Sequence, residues 1–230
     1  NIYLDFASVG ATINIMLAAA KAKGKTVIDN AAKEPEIVNV ATFLNNMGAK
    51  ITGAGTSTIT IKGVEHLKGC FHEVIPDRIE AWTYVILGAL AGKNLKISNL
   101  IPEHIDALLS KLQEAGVNMD IENDYIIVSK PEKFKSISIK TQVYPGFPTD
   151  LQQPITPLLT QCTRASIEEN IFENRFMHIK AFNKMGAKIK INGKKAIFQG
   201  PCQLKGAKIE ATDLRAGAAM VLAGLIASKT

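Results

Sequence analysis

Apolar and polar residues follow a pattern that returns three times along the chain. Each occurrence begins with a helix that is apolar on almost every side, and segments 82–91 and 216–227 are the clearest examples. A helix of that kind has to be buried all round. An amphipathic helix follows, with apolar residues at i, i+3, i+4 and i+7. In the first occurrence these residues are Ile37, Val40, Ala41, Leu44 and Met47.

Short strands accompany the two helices of each occurrence. One predicted strand separates the helices, and alternating strands come after the amphipathic helix. The separating strands are predicted at 26–29, 95–98 and 165–168, and the clearest later strands at 58–62, 125–128, 136–140 and 196–198. Each occurrence is therefore predicted to be a βαβαββ unit or a near variant.

Two independent landmarks share one period, which is the mark of a repeat architecture. Gly48, Gly116 and Gly186 end the amphipathic helices and are about 70 residues apart. At that position a left-handed backbone conformation is expected. A polar residue opens each long apolar helix at nearly the same interval, and these residues are Ser8, Asp77, Asp150 and Asp213. The sequence thus predicts three complete repeats and the opening of a fourth.

The repeats also predict how the layers are arranged. Lysines alternate with apolar residues on the strands, as at Lys188 and Lys190, so one face of the sheet should meet water. The helices must be hidden, and one repeat cannot hide its first helix alone. We therefore predict an α/β (α+β) fold with helices inside and sheets outside, the inverse of the usual α/β barrel.

The two ends of the chain suggest an incomplete molecule. Residues 2–6 resemble a strand without a partner in this chain, the chain does not begin with Met, and the fourth repeat stops after its first helix. We expect either a piece of a longer protein or missing parts that another chain supplies through the exposed edges.

Composition narrows the class of protein. An apolar content of 47% excludes a disordered chain, and no apolar run is long enough to span a membrane. The dispersed Cys70, Cys162 and Cys202 form neither a disulfide framework nor a metal site, which favours a reducing, cytoplasmic compartment. The net charge of +6 favours anionic partners or simply a lysine-rich surface.

The four repeat-opening residues are the main candidates for chemistry. Each of them can cap a helix by accepting hydrogen bonds from its free N–H groups. Ser8 is followed by Val9 and Gly10 with no carboxylate nearby, so the same N-terminus could hold a phosphate. Asp77, Asp150 and Asp213 could instead act as a general base. Physical reasoning alone does not choose among these three aspartates.

Six motifs, spread in order over the whole chain, resemble the bacterial UDP-N-acetylglucosamine enolpyruvyl transferase family. The most specific are FENRFMH at 172–178 and the segment Phe147-Pro148-Thr149-Asp150. The others are Ser8-Val9-Gly10-Ala11-Thr12, Glu34-Pro35-Glu36-Ile37, Pro76-Asp77-Arg78-Ile79-Glu80 and Ala211-Thr212-Asp213-Leu214-Arg215.

The resemblance implies six βαβαββ repeats in two lobes, arranged as an inside-out α/β barrel with the active site between the lobes. Residues 1–75 would be the last repeat of the first, catalytic lobe. Residues 76–230 would be two repeats and the start of a third in the second lobe. Such enzymes transfer enolpyruvate from phosphoenolpyruvate to the 3-hydroxyl of UDP-N-acetylglucosamine and release phosphate, the first committed step of peptidoglycan synthesis.

The resemblance also implies roles for individual residues. Ser8, Val9 and Gly10 would hold the nucleotide part of the substrate, Ile171 would contact it through its backbone, and Asp150 would be the general base that binds the sugar hydroxyl. Asp213 and Arg215 would line the cleft. No metal or other cofactor is implied.

Other parts of the family's machinery have no match in this chain. The catalytic cysteine, a Lys-Asn pair and phosphate-binding arginines would lie upstream, and a further arginine would lie downstream. We therefore expect the chain alone to be inactive. The alternative hypothesis is a repeat scaffold whose lysine-rich sheets bind nucleic acid or protein. Aromatic residues do not accompany the lysines, as single-strand binding would require, so a nucleic-acid partner is not expected.

Overall fold

The computed structural model describes residues 1–211 and 213–228, and Thr212, Lys229 and Thr230 lie outside the described residues. The chain forms two compact units, and each has its own hydrophobic core. Unit 1 is Asn1–Ile75 with Val143–Pro145, and unit 2 is Pro76–Gln142 with the chain from Gly146 onward. The assignment of residues 1–75 and 76–230 to the lobes of a larger enzyme stays a prediction.

Helices and strands alternate in both units. Unit 1 contains β1 (Ile2–Tyr3), α1 (Val9–Ala19), β2 (Lys25–Asp29), α2 (Pro35–Asn46), β3 (Lys50–Thr52) and β4 (Thr58–Lys62). Unit 2 contains α3 (Arg78–Ala91), β5 (Leu95–Ser98), α4 (Asp106–Glu114), β6 (Asn118–Ile121), β7 (Tyr125–Ser129), β8 (Ile137–Lys140), α5 (Thr156–Gln161), β9 (Arg164–Glu168), α6 (Ile179–Lys184), β10 (Ile189–Asn192), β11 (Lys195–Gln199) and α7 (Leu214–Ile226). Two 3-10 helices, Pro102–Ile105 and Thr149–Leu151, precede α4 and α5.

Three sheets repeat one topology. The first sheet has the order β1-β2-β4-β3, and the last has the corresponding order β8-β9-β11-β10. In both, the first strand is parallel to the second and the remaining pairs are antiparallel. The middle sheet, β5-β7-β6, has three strands, and the residues between β4 and α3, all of them described, contain no strand. The predicted βαβαββ unit is therefore present twice, and its near variant without the opening strand occurs once.

The prediction that residues 2–6 lack a partner strand was wrong. Ile2 pairs with Ile28 and Tyr3 with Asp29, and the Leu4 N–H donates to the Asp29 carbonyl at 3.0 Å. The partner is β2 of the same repeat, reached through α1. A βαβ crossover returns the chain to a parallel neighbour, which the run of residues alone does not reveal.

The first helices of the repeats lie against the inner faces of the sheets. In unit 2, α3 contacts β5 and β7, and α3, α5 and α7 contact one another. Burial on every side, as predicted, is approached by α3, which buries eight of its 14 residues, and by α5, which buries five of its six. Leu17 of α1 and Val221 of α7 are exposed among the described residues, because their own units cover only one face of these helices.

The three glycines that mark the repeat have the predicted conformation. Gly48, Gly116 and Gly186 have φ values of +102°, +85° and +92°. Each follows an amphipathic helix, where a residue without Cβ reverses the chain at no steric cost. This local signal therefore specified the end of each helix correctly.

Candidate functional site

The first candidate site is the N-terminus of α1 in unit 1. Ser8 lies at the N-cap in an extended conformation, and its Oγ accepts a hydrogen bond from the Ala11 N–H at 3.3 Å. The Thr12 hydroxyl donates to the Ser8 carbonyl at 2.8 Å and accepts from the Ala32 N–H at 3.0 Å. Because Thr12 is fully buried, these bonds hold the first turn of α1 against the rest of the unit.

This N-terminus is open to an anion. Gly10 is exposed, and no described atom outside its own helix and chain neighbours lies within 4 Å of the position that a Cβ would take. The first turn of α1 contains no acidic residue, whereas α3 carries Glu80 in its first turn. The helix dipole and the free N–H groups are therefore not already neutralised by a carboxylate.

The prediction that Asp150 opens a long helix was wrong. Asp150 lies in the 3-10 helix Thr149–Leu151, and α5 begins only at Thr156. Pro154 lacks an N–H and disfavours helical backbone at the residue before it, so the chain passes through turns before α5 starts. Asp150 is thus not a helix cap, in contrast to Ser8, Asp77 and Asp213.

Two arginines hold the Asp150 carboxylate. Arg175 Nη2 donates to Oδ1 of Asp150 at 3.0 Å, and Arg215 Nε lies 3.7 Å from the same oxygen. Oδ2 of Asp150 has no protein partner within the described ranges 1–211 and 213–228. The Asp150 side chain is 40% exposed, so its carboxylate group can also meet another molecule.

The other two candidate aspartates of unit 2, Asp213 and Asp77, both cap helices. Asp213 caps α7 by accepting from the Ala216 N–H at 2.9 Å, and its Oδ2 accepts from the buried Gln153 amide at 3.2 Å. The same first turn of α7 brings Arg215 to Asp150. Oδ1 of Asp77 accepts from two N–H groups of α3, at 2.8 and 3.3 Å, so this aspartate caps the helix.

Of the two backbone polar groups of Ile171, the N–H makes a hydrogen bond within the described residues and the carbonyl does not. Its N–H donates to Oε1 of Glu169 at 2.9 Å. Its carbonyl oxygen takes no hydrogen bond in the part of the chain that the structure describes. A backbone contact from Ile171 to a ligand would therefore use the carbonyl as an acceptor.

A cavity of about 620 Å³ lies beside Ile171. Its lining includes Ile171, Phe172, Arg175, Lys180 and Lys194. A volume of this size is within the usual range for small-molecule sites, and its three cations suit an anionic group. A larger cavity of about 830 Å³ beside α4 and β6 contains none of the predicted site residues.

His178 and Cys162 are buried rather than catalytic in character. Burial lowers the pKa of His178 to about 4, and Thr156 Oγ1 lies 2.9 Å from His178 Nε2. Burial raises the pKa of the Cys162 thiol to about 12, so this cysteine is a poor nucleophile. The prediction that Cys162 is a small buried residue at a helix end agrees with its place as the C-cap of α5.

Reasoning from the sequence missed two residues at this site. Arg175 was noted within FENRFMH but was not assigned to the site, although a cation in that motif was a usable signal. Glu169, which is buried beside Ile171, carries no sequence signal beyond its place at the end of a strand. The bond of Arg175 to Asp150 and the bonds of Glu169 to Thr141 and Thr149 each join segments that are 20 or more residues apart.

The described residues hold neither a cluster of metal ligands nor a helix that could span a membrane. Within 1–211 and 213–228 there is no group of three or more His, Cys, Asp or Glu residues that could hold a metal ion. Among the same residues, every helix is too short or too polar to cross a bilayer.

Comparison with known proteins identifies the family. Residues 1–230 match the family model described as EPSP synthase (3-phosphoshikimate 1-carboxyvinyltransferase). The chain belongs to this family. The crystal structure of the enolpyruvyl transferase NikO from Streptomyces tendae superposes with a TM-score of 0.85 at 25% sequence identity, over 95% of this chain and 53% of that chain. The predicted fold class is therefore confirmed.

More similar relatives narrow the resemblance within the EPSP synthase family. UDP-N-acetylglucosamine 1-carboxyvinyltransferase 2 of Listeria monocytogenes serotype 4b (strain F2365) is 60% identical over 227 residues, 98% of this chain and 54% of that protein. The enzyme of the same name from Streptococcus pyogenes serotype M1 is 58% identical over 228 residues, 99% of this chain and 54% of that protein. The resemblance that the motifs indicated is confirmed. The chain spans about half the length of the curated relatives that it matches.

Proposed function

We propose that the whole protein containing this chain transfers enolpyruvate from phosphoenolpyruvate to the 3-hydroxyl of UDP-N-acetylglucosamine. This reaction would supply peptidoglycan synthesis. The names of relatives at 58–60% identity support the proposal, because they are UDP-N-acetylglucosamine 1-carboxyvinyltransferases. Similarity to NikO supports enolpyruvyl transfer as the reaction type.

The arrangement around Asp150 is the observation that carries the proposal. A repeat-opening carboxylate that does not cap a helix is available for chemistry, and two guanidinium groups orient it through one oxygen. Its second oxygen is accessible to a substrate hydroxyl. A general base needs such an atom within hydrogen-bond reach of the proton it removes.

In the proposed mechanism, Oδ2 of Asp150 accepts the proton of the sugar 3-hydroxyl as the oxygen attacks C2 of phosphoenolpyruvate. A proton is added at C3, and a tetrahedral adduct forms. The bond between C2 and the phosphate oxygen then breaks, inorganic phosphate leaves, and loss of a proton from C3 restores the double bond. Arg175 and Arg215 keep the carboxylate directed at the hydroxyl throughout.

The nucleotide contacts are proposed at two backbone features. Ser8, Val9 and Gly10 open α1, whose free N–H groups suit the diphosphate. The unbonded carbonyl of Ile171 suits an N–H donor of the base. Asp213 and Arg215 are proposed to line the sugar site, since Arg215 lies beside Asp150.

The proposed reaction needs no cofactor, because addition to phosphoenolpyruvate and elimination of phosphate require only proton transfers and no oxidation or reduction. We also propose a cytoplasmic location. The three free cysteines, Cys70, Cys162 and Cys202, support a reducing compartment.

The decisive experiment measures phosphate release by the whole protein with phosphoenolpyruvate and UDP-N-acetylglucosamine. We expect release that depends on both substrates, and a product whose mass has increased by one enolpyruvyl group. The matched control is the 3-deoxy analogue of the sugar nucleotide, which should bind but release no phosphate. Equal phosphate release with the analogue would contradict the proposal.

The scaffold alternative is tested in the same samples. A single-stranded oligonucleotide is titrated at low and at high salt beside UDP-N-acetylglucosamine. Tight, salt-sensitive binding of the oligonucleotide, without binding of the sugar nucleotide, would favour the scaffold.

A further inference from the structure

Glu169 is a buried carboxylate that joins several parts of unit 2. It follows β9 directly and is only 2% exposed. Its Oε1 accepts from the Thr141 hydroxyl at 3.0 Å and from the N–H groups of Ile171 and Phe172 at 2.9 and 3.1 Å. Its Oε2 accepts from the Thr149 hydroxyl at 2.9 Å. Four donors therefore compensate the cost of burying the charge.

The hydrogen bonds that start at Oε2 of Glu169, called here the Oε2 arm, lead to the proposed base, Asp150. The Thr149 hydroxyl has one proton, which it donates to Glu169, so its oxygen is free to accept from Arg175 Nη1 at 3.0 Å. The same guanidinium donates from Nη2 to Asp150 at 3.0 Å. A continuous series of hydrogen bonds thus runs from Glu169 through Thr149 and Arg175 to Asp150.

The hydrogen bonds that Oε1 of Glu169 accepts, called here the Oε1 arm, lead to the proposed nucleotide contact at the Ile171 backbone. By engaging the Ile171 and Phe172 N–H groups, Glu169 fixes the turn that follows β9. This turn presents the Ile171 carbonyl and also places the Phe172 ring 4.9 Å from the Arg175 guanidinium. One side chain therefore sets the positions of two groups that the proposed reaction uses.

A structural role alone does not account for this residue. Strands β8 and β9 are already joined by their ladder, and only two carboxylates, Glu34 and Glu169, are fully buried among the described residues. Burying an ionised group is costly, and packing alone is served at least as well by an apolar side chain. The cost of burying a charge is expected at side chains that orient reacting groups.

We propose that Glu169 is a positioning residue for the transfer reaction, which orients Asp150 through Thr149 and Arg175 and presents the backbone of Ile171 to the nucleotide. This inference rests on the proposed function, and it adds to that function a residue outside the reacting atoms. It separates two contributions: the Oε2 arm governs turnover, and the Oε1 arm governs binding of the sugar nucleotide.

Glu169→Gln tests the Oε2 arm selectively. The amide oxygen must take the position of Oε1, because an NH₂ group there would face three donors. The NH₂ group then takes the position of Oε2 and donates to Thr149, whose own proton loses its acceptor. The series to Arg175 is disturbed while the turn at Ile171 keeps its bonds.

In the whole protein we expect Glu169→Gln to lower kcat about tenfold while KM for UDP-N-acetylglucosamine changes less than about threefold. Thr149→Val, which keeps the shape of the side chain without the hydroxyl, should do the same. Since both act through one series of bonds, the double variant should lose about tenfold rather than about a hundredfold. Thr149→Ser should restore kcat to within about twofold of the original.

Two further variants complete the design. Ser138→Ala removes a hydroxyl that lies 2.9 Å from Ser166 Oγ across β8 and β9, and it should leave kcat unchanged. Asp150→Asn separates the two proposals. Full turnover in Asp150→Asn would overturn the base assignment and this inference together.

If Asp150→Asn loses turnover, three results would each overturn the Glu169 inference alone. They are a normal kcat in both Glu169→Gln and Thr149→Val, additive losses in the double variant, and a Thr149→Ser variant as slow as Thr149→Val. Thermal unfolding checks that each variant is folded. If Glu169→Gln does not fold, the Val and Ser variants of Thr149 decide the question by themselves.

Discussion

The first and third repeats have the same topology but use the start of their first helix differently. In the first repeat, Ser8 caps α1, which begins at the next residue. In the third repeat, Asp150 lies in a 3-10 turn and the short α5 begins at Thr156. The polar residue caps its helix in the first repeat, whereas in the third repeat the carboxylate accepts a hydrogen bond from Arg175 instead.

The difference shows how one repeat can be adapted without changing its sheet. The strand order and the parallel first pair are kept, so the core of the repeat is kept. The connection before the first helix changes, where Pro148 and Pro154 interrupt helical backbone, and that helix shortens from 11 residues in α1 to six in α5. A residue released from capping can then carry out chemistry at a site that the fold still positions rigidly.

The largest effect is expected from Asp150→Asn in the whole protein. Asn keeps the size of the side chain but removes the proton acceptor, so kcat should fall by about 10² to 10⁴. The free energy of unfolding should change little, because Asp150 is not a cap. Steady-state phosphate release and chemical denaturation measure the two quantities.

The matched control for that prediction is Asp77→Asn, the same exchange at an aspartate of unit 2 that does cap a helix. Asparagine is an equally good cap, so both turnover and stability should stay close to their original values. If the two variants have the same kcat, an aspartate that does not cap a helix is no more important for turnover than one that does, which would contradict the prediction.

The stability of unit 2 should depend on pH through His178, and this dependence should distinguish unit 2 from unit 1. His178 in unit 2 has a folded pKa of about 4, lowered chiefly by burial, against an ordinary value of 6.5. Between those values the unfolded state binds the extra proton, so stability is complete above pH 6.5 and falls as pH falls toward 4. The loss amounts to about 3 kcal/mol at most.

The measurement is denaturation at pH 7 and pH 4.5, followed by hydrogen exchange of amides in each unit. The variant His178→Gln should lose this part of the pH dependence, while the amides of unit 1, which buries no histidine among the described residues, should not respond. Equal pH dependence in the original protein and the variant would contradict the assignment.

A smaller effect should follow from Ser8→Asp. Aspartate caps a helix as well as serine does, so the free energy of unfolding should be unchanged. The new carboxylate faces the N–H groups proposed to hold the diphosphate, and it should weaken UDP-N-acetylglucosamine binding about tenfold. Calorimetric titration measures this affinity.

The reverse exchange, Asp77→Ser, serves as its control. It also replaces one good cap by another, at a helix that the proposal does not use, and it should leave the affinity unchanged. A Ser8→Asp variant that binds the sugar nucleotide normally would remove α1 from the proposed site.

Local features of the sequence predicted much of the fold. Strands 58–62 and 95–98 were predicted with the bounds that the structure shows, because alternation of apolar and polar residues acts over a few neighbours. The left-handed glycines at 48, 116 and 186 were predicted for the same kind of reason. The start of α5 was not, because turns on either side of Pro154 replaced the expected helix.

The candidate site was predicted only in part. Asp150, Asp213 and Arg215 were named from the motifs, but nothing in their spacing showed that Arg215 lies beside Asp150. The roles assigned to them remain proposals. The burial of Glu169 was missed altogether, because it depends on donors from Thr141, Thr149 and the turn at Ile171, which are far apart along the chain or outside regular elements.

The sequence by itself determined the repeats, the glycines that end the amphipathic helices and three of the four helix caps, since these follow from interactions between near neighbours along the chain. The tertiary structure decided that β1 pairs with β2 and that Arg175 and Arg215 converge on the Asp150 carboxylate. Those outcomes depend on packing between segments that are distant in sequence. No local pattern encodes such distances, because each arises only when a complete core is formed.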